Sequence, residues 1–280
     1  MKNSLINDLL PPLAIRFLKR LMNRRVVEST FEGDFPNWAA ALKACGTAGY
    51  AEQNILDKTH KSAFAVKNGE AVYEKDSVLY DEIRYSWPLL SALLLAAAKS
   101  DDRLKVLDFG GAQGCTFFQN RKFLEKIGKP VDYGIVEQPH YVDLGNKNIA
   151  NAEITFFKSS DDYKNKLGIP DAVILSGVLQ YLEKPYITLK NILSLKAKVV
   201  CVDRTSFLTS AENEKIMIQN VSDIIYYAAR YPCHFFKKST FLLHFEMLGY
   251  QVLESFDALD DGSNDFANWE GFIFLQKHGR

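Results

Sequence analysis

The sequence has no excess charge of either sign: 34 Lys and Arg stand against 34 Asp and Glu in 280 residues. It therefore carries no broad field for a polyanion, and nucleic acid is not expected as a partner. Cysteine is scarce. Cys45, Cys115, Cys201 and Cys233 are scattered without a Cys-x-x-Cys pair, so their spacing offers no metal site and no disulfide framework. They read as the reduced thiols of a cytosolic chain. No apolar run is long enough to span a bilayer. Leu5–Leu10 is too short for a signal peptide and runs into Pro11-Pro12. Internal repeats and low-complexity stretches are absent. Two phosphate-binding fingerprints are missing at the one glycine-rich turn: five residues on from Gly110 stands Cys115 rather than glycine, and no Gly-Lys-Ser/Thr follows.

What the chain does have is ample apolar content, 47% of residues, enough for one large or two small domains. It is organised around Lys105-Val-Leu-Asp108-Phe-Gly110-Gly111-Ala-Gln-Gly114. Val106 and Leu107 read as the end of a buried strand, and Cys115 to Ile127 has the pattern of a helix. Such a strand–turn–helix sets backbone N–H groups and the positive end of a helix dipole beside a ligand, with glycines admitting close approach. The pattern Asp-x-Gly-x-Ala-x-Gly is close to the Asp-x-Gly-x-Gly-x-Gly turn of S-adenosylmethionine (SAM) methyltransferases, with Ala112 at the middle glycine. An ordinary tight strand–helix turn is the alternative.

Three regions follow. Residues 1–25 interleave Leu13, Ile15, Phe17, Leu18, Leu21 and Met22 with Arg16, Lys19, Arg20, Arg24 and Arg25. This basic amphipathic leader either lies on anionic lipid as a peripheral membrane contact or docks on the body of the protein. Residues 26–100 read as a helical N-terminal extension. Asn37 caps a helix from Trp38, a second runs from Ala51 to Phe64, and an apolar third spans Trp87 to Lys99. Trp38 and Trp87 are expected in the core. Residues 101–280 alternate strand and helix in an α/β, Rossmann-like arrangement. Five parallel strands are expected at Lys105–Asp108, Val131–Glu137, Glu153–Phe157, Asp171–Ser176 and Lys198–Asp203, followed by an antiparallel hairpin of Gln251–Leu259 and Trp269–Lys277. A dinucleotide fold would place a sixth parallel strand there instead.

Ligands of open parallel sheets bind at the carboxyl ends of the strands. Asp108, Gly110, Gly111 and Gly114 are expected to hold the cofactor's amino-acid end. Glu137, with Gln138 beside it, stands where an acid accepts both ribose hydroxyls. Asp161 or Asp162 can meet the adenine amino group, and Ser176 ends the fourth strand in the same crevice. An insertion, residues 204–236, separates the fifth strand from its helix. Its Arg204, Gln219, Tyr227, Arg230 and Tyr231 suit a sugar or other polar acceptor; the plainer reading is an amphipathic helix covering the sheet. Asp203 and His234 are the candidate bases. No metal is implied.

Taken jointly, Asp108-Phe-Gly-Gly-Ala-Gln-Gly114, Val136-Glu-Gln138, Leu175-Ser-Gly-Val-Leu-Gln-Tyr-Leu182, Asp203-Arg-Thr205 and Tyr231-Pro-Cys233, after Gly69-Glu-Ala-Val-Tyr-Glu74 and Tyr85-Ser-Trp-Pro-Leu-Leu90, resemble a methyltransferase family associated with bacterial surface-polysaccharide gene clusters. The resemblance covers roughly residues 31–260 and implies a class I methyltransferase fold, SAM as cofactor and a glycan-pathway acceptor. Family members usually carry Ser-Leu where this chain has Ala112-Gln113. A non-catalytic SAM-fold module in a polysaccharide assembly complex is the alternative function.

Overall fold

The computed structural model describes residues 30–46, 53–210, 213–221, 229–259 and 264–277. A short strand β1 (Thr30–Glu32) leads to helix α1 (Trp38–Cys45), where the Asn37 side chain accepts the Ala40 N–H at 2.9 Å as the sequence predicts. Helix α2 (Gln53–Lys67) and a two-residue hairpin, β2 (Tyr73–Lys75) and β3 (Val78–Tyr80), follow. Asp76 and Ser77 form its turn, both at positive φ, the geometry that matches strand twist in short hairpins. The apolar α3 (Trp87–Lys99) follows, with Pro88 in its first turn, and buries Leu89, Leu90 and Leu93.

The rest is an alternating run: β4 (Leu104–Phe109), α4 (Cys115–Leu124), β5 (Val131–Val136), α5 (Pro139–Asn148), β6 (Ile154–Phe157), α6 (Ser160–Leu167), β7 (Ala172–Ser176), a single 3-10 turn (Leu179–Tyr181), α7 (Pro185–Leu193) and β8 (Val199–Leu208). After strands β9 (Lys215–Val221) and β10 (Ala229–Phe235) come α8 (Lys238–Met247), β11 (Tyr250–Asp257) and β12 (Ala267–Gln276). Seven strands form one sheet in the order β11-β12-β8-β7-β4-β5-β6. Strands β4 to β8 within it are parallel, and β12 runs antiparallel to both β11 and β8. The expected five parallel strands and terminal hairpin are all present. The chain leaves β4 towards β6, then returns to β7 on the other side, so the crevice at the switch point opens between β4 and β7.

Both sheet faces are buried. Along β8, Val200 and Val202 point into one core while Cys201 points into the other; Val106 and Leu107 divide in the same way on β4. This is why those strands read as unbroken apolar runs.

Two expectations are corrected. Trp87 lies at the surface, 58% exposed, because α3 turns Leu89, Leu90 and Leu93 inward and its first residue outward. The insertion is not helical in its described parts. Strands β9 and β10 pair with each other, and β9 with β1, as a separate three-stranded sheet. Helix α1 covers one face of this sheet through Ala41, Cys45 and Ile218. The other face, with Cys233 and Phe235, packs on Leu208 and Trp269.

Candidate functional site

The glycine turn is shaped by what it must fit around. Asp108 is 1% exposed and accepts a hydrogen bond from the Tyr133 hydroxyl at 2.9 Å. A Cβ on Gly111 would sit 2.7 Å from that carboxylate, so the turn folds directly over it. Gly110, at φ +74°, leaves room for Val178, whose Cγ2 would lie 2.4 Å from an added Cβ. Ala112 takes a left-handed φ of +46° where the related motif has glycine. Burial raises Asp108 to a pKa of about 7, with the Tyr133 hydroxyl opposing the shift and Glu137 reinforcing it. Gln113, fully buried, donates to the Tyr141 carbonyl at 2.9 Å and accepts from His60 Nδ1 at 3.2 Å. Because that bond makes Nδ1 the protonated nitrogen, Nε2 accepts the Asn148 amide at 3.2 Å. The turn is thus tied to both α2 and α5.

Glu137 follows β5, and its carboxylate accepts the Gln138 N–H at 2.6 Å and a further backbone bond from Ala112. One carboxylate therefore bridges two strand ends, and burial raises its pKa against those two bonds. Gln138 stands exposed at the start of α5. Asp161 is exposed in the first turn of α6, beyond the carboxyl end of β6.

At the end of β7, Ser176 lies in register with Asp203, midway along the longer β8. Asp203 is 2% exposed; it accepts the Ser86 hydroxyl at 3.0 Å and the Arg204 N–H at 2.8 Å. Against β12 the register shifts here, Thr205 pairing with Glu270 and Val202 with Phe272, so Asp203 and Arg204 together oppose Gly271 as a bulge. Arg204 takes φ +52°, and its guanidinium folds back over Gly177, where an added Cβ would meet Nη2 at 2.9 Å. The same group reaches Ser176 Oγ at 3.3 Å and Asp76 Oδ2, from the hairpin turn, at 3.5 Å.

The insertion's candidates divide between the two faces of the small sheet. Gln219 and Tyr231 are cross-strand partners on one face, where Tyr181 donates to Gln219 Oε1 at 2.9 Å and packs edge-on against Tyr231. Arg230 bonds Asn220 and Glu32 on the opposite face. His234 shares that face, its ring stacked between Trp38 at 5.0 Å and Phe236 at 5.8 Å. Burial lowers its pKa, while the neighbouring backbone of Leu182 and Glu183 opposes the shift. Tyr227 and the leader, residues 1–25, lie outside the described residues.

Several residues that shape the crevice escaped single-residue reading: His60, Asp76, Ser86, Tyr133 and Glu74. Glu74 is 3% exposed, accepts the Ser77 N–H at 3.3 Å, and is raised by burial and the nearby Asp76 to a pKa of about 7. Glu74 and Ser86 do fall inside the two upstream segments that carry the family resemblance. Among the described residues no group of His, Cys, Asp or Glu is arranged to hold a metal ion.

The strand order, the antiparallel last strand and the glycine turn at the switch point define the class I methyltransferase fold. The N-terminal domain of EvdMO1, crystallised in the presence of SAH (S-adenosylhomocysteine) and D-fucose, matches with a TM-score of 0.50 at 12% identity, covering 79% of this chain and 97% of that one. CalS10 from Micromonospora echinaspora, an amino pentose methyltransferase involved in calicheamicin biosynthesis, gives 0.45 at 12% identity over 69% and 92%. The CcbJ methyltransferase from Streptomyces caelestis gives 0.43 at 14% identity over 68% and 89%. At such identities the likeness establishes the fold alone. No family model and no curated protein matches the sequence.

Proposed function

We propose that the chain is a SAM-dependent methyltransferase acting on a hydroxyl of a saccharide or lipid-linked glycan precursor in surface-polysaccharide synthesis. The observation that carries the reading is the bridge between strand ends: Glu137 accepts backbone bonds from Gln138 and from Ala112 of the glycine turn, making one wall of the two elements. The residues fit SAM. The partly open backbone of Gly110–Ala112 near the start of α4 suits a carboxylate. Glu137 and Gln138 suit ribose hydroxyls, and Asp161 an adenine amino group. When bound, SAM supplies an electrophilic methyl group.

The chain's own part is alignment and proton handling. Asp203 already accepts one hydroxyl hydrogen bond, from Ser86, beside the end of β7. An acceptor hydroxyl replacing that partner would find a base within hydrogen-bond reach. Asp203 rather than His234 takes this role, since the His234 ring is enclosed by Trp38 and Phe236. Arg204, Gln219, Tyr231 and Tyr181 would line the acceptor's side. Asp203→Asn should lower methyl transfer by about two to four orders of magnitude while SAH affinity stays within about twofold. Turnover equal to wild type would refute the assignment.

A further inference from the structure

Arg204 is an unusual side chain in an unusual place. It sits on a bulge at left-handed φ, a combination that re-aims side chains and accumulates at functional sites. The guanidinium is drawn inward over Gly177, just past the end of β7, and is 26% exposed. One carboxylate contact, Asp76, belongs to a different element and is long at 3.5 Å, and the Asp76 side chain is itself 45% exposed. A guanidinium fork presents donors in a plane that match a compact oxyanion two bonds at a time. An exposed carboxylate on a hairpin tip meets it at one oxygen.

We propose that Arg204 is an oxyanion-recognition site for the acceptor, with Asp76 as the resident carboxylate that the ligand's anionic group displaces. This deepens the methyltransferase reading and rests on it: the acceptor is an anionic saccharide, bearing a carboxylate or a phosphate next to the hydroxyl that reacts. The same fork could instead meet the cofactor's own carboxylate, a source the test separates.

The probes are D-glucose, D-glucuronate and glucose 1-phosphate, titrated by ligand-observed NMR into the full-length protein with and without SAH. SAH affinity is measured in parallel by calorimetry. At least one anionic probe should bind tenfold or more tightly than glucose, and which of the two does so distinguishes carboxylate from phosphate. Arg204→Gln should remove that preference, Arg204→Lys should keep part of it, and Asp76→Asn should tighten anion binding about threefold or more. Asn tolerates the left-handed conformation Asp76 occupies, so this arm stands even if Arg204→Gln does not fold. Both Arg204→Gln and Asp76→Asn should leave SAH affinity within twofold of wild type. Equal binding of glucose and both anions, a preference surviving Arg204→Gln, or an unchanged affinity in Asp76→Asn would overturn the proposal. A tenfold loss of SAH affinity in Arg204→Gln would also overturn it, assigning the fork to the cofactor. Failure of SAH to bind wild type would instead sink the methyltransferase reading, and the anion preference measured without SAH would still be scored.

Discussion

At the scale of single residues, the crevice holds two buried carboxyls poised near neutrality, Asp108 and Glu74, each raised to a pKa of about 7 by burial. The consequence for stability has a definite sign. Between the ordinary value of 4.5 and about 7, folded Glu74 keeps a proton that the unfolded chain has released. Stability from this group is therefore full in acid and is lost as pH rises through about 7. Replacing Glu74 by Gln removes the buried charge but keeps an oxygen able to accept the Ser77 N–H. In urea unfolding, Glu74→Gln should be more stable than wild type at pH 8 by up to about 3 kcal/mol, and by less than about 1 kcal/mol at pH 5. A gap that does not change with pH would show that Glu74 is ionised throughout. Single residues were also the least legible part of the sequence. Tyr133 and Ser86 bond the two site aspartates from elsewhere in the chain, 25 and 117 residues away, and no local pattern announces such partners.

At the scale of elements, the glycine turn was readable because its constraints are local. A strand ending in Asp, glycines at the tight approaches and a helix beyond them leave few alternatives. Its one irregularity makes a prediction. Ala112 at φ +46° carries left-handed strain that glycine does not, whereas Gly110 has Val178 against it. Ala112→Gly should therefore stabilise by about 0.5–1 kcal/mol and Gly110→Ala destabilise by about 2–4 kcal/mol, both read from thermal melts. The reverse ranking would mean that the turn's conformation is set by something other than these two positions. The insertion was misread for the opposite reason. Its β9 pairs Gln219 with Phe31 of β1, far away in sequence, and the polar and aromatic residues around it resemble the face of a helix as easily as a strand. Once Tyr231 and Arg230 are known to be strand neighbours, they must point to opposite faces. That is why Tyr231 reaches Tyr181 while Arg230 reaches Glu32. Arg204 owes its orientation to a bulge, which the sequence does not mark.

At the scale of the whole molecule, the sheet was legible because five doubly buried strands cannot be mistaken for amphipathic helices, and the short final connection could only be antiparallel. No described helix is long and apolar enough to cross a membrane. We propose that the basic leader, residues 1–25, brings the protein to anionic lipid, where a lipid-linked precursor would be found. Sedimentation with phosphatidylglycerol vesicles should fall in high salt and vanish on deletion of residues 1–25; equal pelleting of both proteins would remove the idea. The central claim, that the crevice between β4 and β7 takes SAM, is tested most directly by calorimetric titration of the full-length protein with SAH. The account predicts one site per chain, with Glu137→Ala weakening it by about 1.5–3 kcal/mol through loss of charge-assisted hydrogen bonds to the ribose. No heat with SAH, together with saturable binding of NADH, would contradict it.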